Sequence, residues 1–145
     1  MKKLFIFFVA VLIIVAIVSY NYISYKIKNE NIISENSYFE KYKDKEVNGL
    51  DVATVINKAI DKNTKNKIEK DEKGIFLPNN ENSLEIEIYM LDNEKVYKME
   101  TIYSGGTEQF VQYYSDIKFK CSKMEYHEKT GRIKYLFFEQ IEQTS

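Results

Sequence analysis

The sequence has no tryptophan, one cysteine, one histidine, one proline and five glycines among its 145 residues. A lone cysteine, Cys121, permits no internal disulfide, so an oxidising exterior would give the chain no covalent staple. A lone histidine, His127, removes every two-histidine metal site. A Cys–His nucleophile pair would have to join Cys121 and His127, which lie on one predicted strand about 20 Å apart. The simplest readings are a small core residue for Cys121 and a strand-end surface residue for His127. Arginine is confined to Arg132. Behind the first 25 residues all 22 acids face 19 lysines and arginines, a net charge of −3. Nucleic-acid binding needs a clustered basic surface, and this balance argues against it. No internal repeat or long low-complexity run is present.

Against these absences stands one long apolar run. Residues 4–18 (LFIFFVAVLIIVAIV) are unbroken, and Tyr20, Tyr22 and Ile23 extend the apolar character to residue 23. About 20 helical residues rise close to 30 Å, the thickness of a bilayer hydrocarbon core. Tyr20, Tyr22 and Tyr25 are amphipathic rings suited to the headgroup layer. Small residues do not occupy the two positions a signal peptidase requires: Ile17 precedes Ser19, and Ala16 precedes Val18. The expectation is a retained anchor over residues 1–25, in contact with the bilayer through residues 4–23. Lys2 and Lys3 keep the N-terminus cytoplasmic by the positive-inside rule and place the rest outside the cell membrane.

The remainder reads as a polar, partly helical juxtamembrane linker (26–47) and one small domain (48–145). In the linker, Ser37 and Glu40 fit a capping box. NGLDVATVINKAID is the clearest helix: Val52, Val55, Ile56 and Ala59 form one apolar stripe, Asn48 can cap it, and Asp51 sits in its first turn. SLEIEIYML alternates as a strand, with Leu84, Ile86, Ile88 and Met90 on one face and Glu85 and Glu87 on the other. VYKMETIY is expected to return as a second strand, with Tyr97, Met99 and Tyr103 inward. After Gly105-Gly106, Thr107 can cap a short helix carrying Phe110, Val111 and Tyr114. IKFKCSKMEYH points Ile117, Phe119 and Cys121 inward. Its parity then slips, which predicts a β-bulge near Ser122-Lys123 and sends Cys121 and His127 to different faces. EKTGR closes a hairpin on Gly131. RIKYLFFEQI is the last strand, with Leu136-Phe137-Phe138 suggesting burial on both faces. The expected fold is α+β: a transmembrane helix, one packed helix, and four antiparallel strands in the order ββαββ.

Three segments and the tyrosines are candidates for chemistry. DKNTKNKIEKDE places Asp61, Asn63 and Glu72 at EF-hand ligand positions, with Ile68 at the apolar eighth. Lys65 and Asn66 stand where an oxygen ligand and a glycine belong, so a solvated loop is the better reading. Glu85 and Glu87 have the separation of an inverting glycosidase pair, without any accompanying cleft signature. Ser104-Gly105-Gly106-Thr107 before a helix could present N–H groups to an anion, and reads more simply as a turn. Twelve tyrosines offer contact surface, although several, such as Tyr97 and Tyr135, fall on inward parity. No catalytic, metal or cofactor site is predicted, and no small-molecule substrate.

An N-terminal apolar helix followed by a helix and an antiparallel sheet resembles the layout of type IV pilins. That resemblance implies a structural subunit of a surface filament or secretion apparatus. MKKLFIFF lacks the pilin cleavage residue and the glutamate at the fifth position of the run. GLDVATVINKAIDKN, YHEKTGRIKY and FFEQI are similar to signal-anchored small proteins of low-GC Gram-positive bacteria, a likeness that implies location without activity. The functional expectation is a membrane-anchored extracytoplasmic binding or assembly module, not an enzyme, with a protein partner at the cell surface.

Overall fold

The computed structural model describes residues 2–142. Two compact units divide the chain between Glu35 and Asn36. The first is helical throughout. Helix α1 runs Lys2–Glu40, and the side chains of its apolar run, Leu4, Leu12, Ile17 and Ile23 among them, are exposed. Among the described residues it is the one helix long and apolar enough to cross a membrane. A helix suits that medium because every backbone polar group within the span bonds internally.

The second unit begins with the last turn of α1. Asn36 is buried there; its amide donates to the Gly131 carbonyl at 2.7 Å and accepts from the Ile133 N–H at 3.0 Å. Phe39 and Tyr42 also lie in the hydrophobic core. Residues 26–47, expected as a linker, contribute the core residues Phe39 and Tyr42 and the first two residues of a short strand, β1 (Glu46–Asn48).

Helix α2 (Gly49–Lys65) starts where its sequence predicts. The Asn48 side chain accepts from the Asp51 N–H at 2.9 Å, and the Asp51 carboxylate accepts from the Asn48 N–H at 3.4 Å. The reciprocal pair satisfies donors that helix geometry leaves free. Val52, Val55, Ile56 and Ala59 are all fully buried.

The remaining elements are β2 (Glu85–Met90), β3 (Lys95–Lys98), α3 (Met99–Ser104), α4 (Thr107–Tyr114), β4 (Lys118–Tyr126) and β5 (Ile133–Gln140). The architecture is α+β, but the sheet corrects the expected one. It has five strands, not four, in the order β1-β4-β5-β2-β3. It is mixed, because β5 lies between β4 and β2 and pairs parallel with β2, Ile86 opposite Leu136 and Ile88 opposite Phe138. All other pairs are antiparallel.

The second expected strand is also corrected: it stops at Lys98, and residues from Met99 coil into α3. Met99 and Ile102 stand three apart, so helical winding turns both toward the core, with Met99 fully buried and Ile102 packed at its edge. Extended backbone would also have pointed Tyr103 inward, and it is exposed. In α4, Phe110 is buried and Val111 and Tyr114 pack against the core, as expected. Its N-cap is Gly106, at φ 93°, and not Thr107.

The expected bulge is present. Cys121 opposes Phe138 while Lys123 opposes Phe137, leaving Ser122 as the extra residue. A second shift follows, where Tyr126 opposes Ile133 and Glu125 opposes Tyr135; it brings Ile133 into the core. The hairpin closes with Gly131 at φ 68° and its N–H on the His127 carbonyl.

Candidate functional site

Helices α2, α3 and α4 cover one face of the sheet, formed by Ile86, Ile88 and Met90 of β2, Phe119 and Cys121 of β4, and Leu136 and Phe138 of β5. Strand alternation sends the intervening residues to the opposite face. There Tyr135, which strand parity had suggested would face inward, and Phe137 lie on the central strand, with Tyr89 on β2 and Val96 on β3. The Tyr135 and Phe137 rings stack with centroids 6.4 Å apart and planes 11° from parallel. All three aromatic residues are half-buried, and Val96 is exposed.

Charges of both signs frame this strip. Lys123 opposes Phe137, Glu87 opposes Lys98, and Glu139 lies between Lys120 and Tyr89. The Tyr135 hydroxyl donates to the Glu87 carboxylate at 2.8 Å. Burial, and then that carboxylate, push the Tyr135 phenol well above its ordinary range, so it stays a donor at physiological pH. Lys123 sits 5.4 Å over the Tyr135 ring and pairs with Glu125 at 2.6 Å. This hydrogen bond holds the Glu125 carboxyl below its usual value. The face is amphipathic, with aromatic area at its centre and polar groups around it.

A shallow, largely solvent-open cavity of about 320 Å³ lies elsewhere, between the β2–β3 turn and helices α3 and α4. Met90, Ile102 and Phe110 form apolar wall, Tyr97, Tyr113 and Tyr114 add rings, and Asn93, Thr101 and Gln109 add neutral polar groups. Asn93 donates to the Tyr97 hydroxyl at 2.6 Å. Burial, followed by the neighbouring Asp92, raises the Tyr114 phenol.

The segments singled out in the sequence take other roles. Asp61 and Asn63 lie within α2, so residues 61–72 do not form a ligand loop. Asp61 pairs with Lys65 at 2.9 Å. Asn63 is fully buried and clasps the backbone of Leu84, donating to its carbonyl at 2.8 Å and accepting from its N–H at 2.9 Å. Among the described residues no group of three or more His, Cys, Asp and Glu could hold a metal ion. Glu85 and Glu87 share the open face, with Glu87 engaged by Tyr135. Gly105 and Gly106 border the cavity as a turn.

Cys121 is a core residue, 1% exposed. His127 is not on the surface: it is 3% exposed, and its Nε2 lies 2.7 Å from the Ser83 carbonyl. A carbonyl only accepts, so Nε2 carries the proton. The alternation that marked Glu85 and Glu87 as outward also places Tyr89 there, a signal available in the sequence. Phe137 turns outward between two inward neighbours that are equally apolar, Leu136 and Phe138, and the cavity depends on α3, so neither shows in local periodicity.

Comparison with protein-family models, curated proteins and solved structures finds no match for this chain. The resemblances given above therefore rest on the segments quoted for them.

Proposed function

We propose that this protein is a membrane-anchored, extracytoplasmic binding module. It recognises a protein partner at the cell surface rather than catalysing a reaction. The observation that carries the reading is the sheet's uneven covering: three helices bury one face, while the other presents Tyr89, Tyr135 and Phe137 in a polar frame. Aromatic centres with polar rims are the composition of protein interfaces, where ring burial supplies affinity and the rim supplies register. The apolar length of α1 supports the anchor, with residues 4–23 in the bilayer, the N-terminus cytoplasmic and the domain outside.

Photo-crosslinking in the native host tests the binding surface. A benzophenone amino acid at position 137 is expected to give a discrete adduct, while one at Asn57, exposed on α2, gives none. Adducts from both positions, or from neither, reject the open face as the contact surface. Protease shaving of intact cells and N-terminal sequencing test the topology. A full-length membrane form with a shaved domain supports the anchor; a processed, fibre-bound form supports a pilin-like subunit instead.

A further inference from the structure

We propose that the cavity between the β2–β3 turn and helices α3 and α4 is a binding site for a neutral, phenol-sized ring compound. This site lies apart from the open face of the sheet, and the inference does not depend on what that face binds. Its volume, about 320 Å³, falls at the lower end of small-ligand pockets, which suits one substituted ring and not a long chain. The chemistry of the wall narrows the class further. No Asp, Glu, Lys, Arg or His side chain lines it. An anionic ligand would leave water for a wall with no countercharge, beside the Asp92 carboxylate that neighbours Tyr114, which is costly.

A free sugar is disfavoured by the same wall. Met90, Ile102 and Phe110 have no hydrogen-bonding hydroxyl or amide, so a hydroxyl-covered ring would leave several donors unmet against them. An aromatic ring loses nothing there and can lie against Phe110 and the tyrosines edge-on or offset. A single polar substituent has partners at the rim. Thr101 and Gln109 lie on exposed helix positions facing the cavity, and Tyr113, 68% exposed, forms a free-standing wall. The Tyr97 hydroxyl already accepts from Asn93 and keeps its own proton to donate.

The four methionines provide the readout. Met90 lines the cavity, whereas Met124 lies on β4. The full chain, labelled at the methionine methyl groups and held in lipid nanodiscs, is titrated with p-cresol, benzoate and methyl α-glucoside. The expected result is a saturable shift of the Met90 methyl with p-cresol and an unmoved Met124, with at least tenfold weaker response to the other two probes. Tyr113→Ala, at an exposed position, is expected to weaken p-cresol binding at least threefold while the Met99 and Met124 signals stay in place. No saturable Met90 shift, equal shifts with benzoate or the glucoside, or unchanged affinity in Tyr113→Ala would each overturn the proposal.

Discussion

Asn63 ties two parts of the domain together with one side chain. Its carboxamide meets both backbone groups of Leu84, 21 residues away, inside the core. Replacing it with alanine strands a buried N–H and a buried carbonyl, each costing about 1–3 kcal/mol. Asn63→Ala is therefore expected to lower unfolding free energy by about 2–6 kcal/mol in urea titration. Cys121 gives a second residue-scale prediction. Burial, and then Asp44, push its thiol from 9.0 up to about 11. Native protein should resist a thiol reagent at pH 8 and react fully once unfolded. Between pH 9 and 11 the unfolded chain loses this proton while the folded chain keeps it, so stability should fall through that window. A thiol-free Cys121→Ser variant should show a shallower fall over the same range. The sequence disclosed the burial of Cys121 through strand parity. It did not disclose that of His127, whose place beneath the Ser83 carbonyl comes from a loop 44 positions away.

Among the elements, α2 was the most legible because its start and its stripe are encoded locally. Asn48→Ala should cost about 1 kcal/mol, since it removes the cap without touching the core. Gly49→Ala should cost more, about 1–3 kcal/mol, despite alanine's better helix propensity. A Cβ at Gly49 would run into the backbone carbonyl of Tyr114, so α2 and α4 could not keep their approach. Chemical denaturation of the two variants side by side ranks them; an order reversed from this one would mean the helices can separate at little cost. The bulge at Ser122 was legible too, because apolar parity changes there. Strand β1 was not: three residues carry no period, and Glu46–Asn48 becomes a strand only by pairing with β4. Helix α3 was hidden for a related reason. Met99 satisfies both the strand alternation from Tyr97 and the helical spacing to Ile102, and tertiary packing decides between them.

At the scale of the whole molecule, the apolar segment was plain from composition, since nothing else in the chain approaches its length. Leu12→Arg places a charge near its centre, where insertion costs about 2.5–3.5 kcal/mol. Cell fractionation should find a substantial part of that variant outside the membrane pellet, whereas Leu12→Ile stays in it. Sheet order was the least legible feature. Short turns between successive strands suggest antiparallel neighbours, and nothing local announces that β5 will settle beside β2, some fifty residues earlier. The position of β5 has a consequence for biosynthesis. Because this strand sits between β4 and β2, the sheet remains split until residues 133–140 are available. During synthesis the domain should stay unfolded until that stretch has left the ribosome. If the domain is exported, as proposed here, the same delay keeps the segments ahead of it thin enough to thread through a narrow translocation channel.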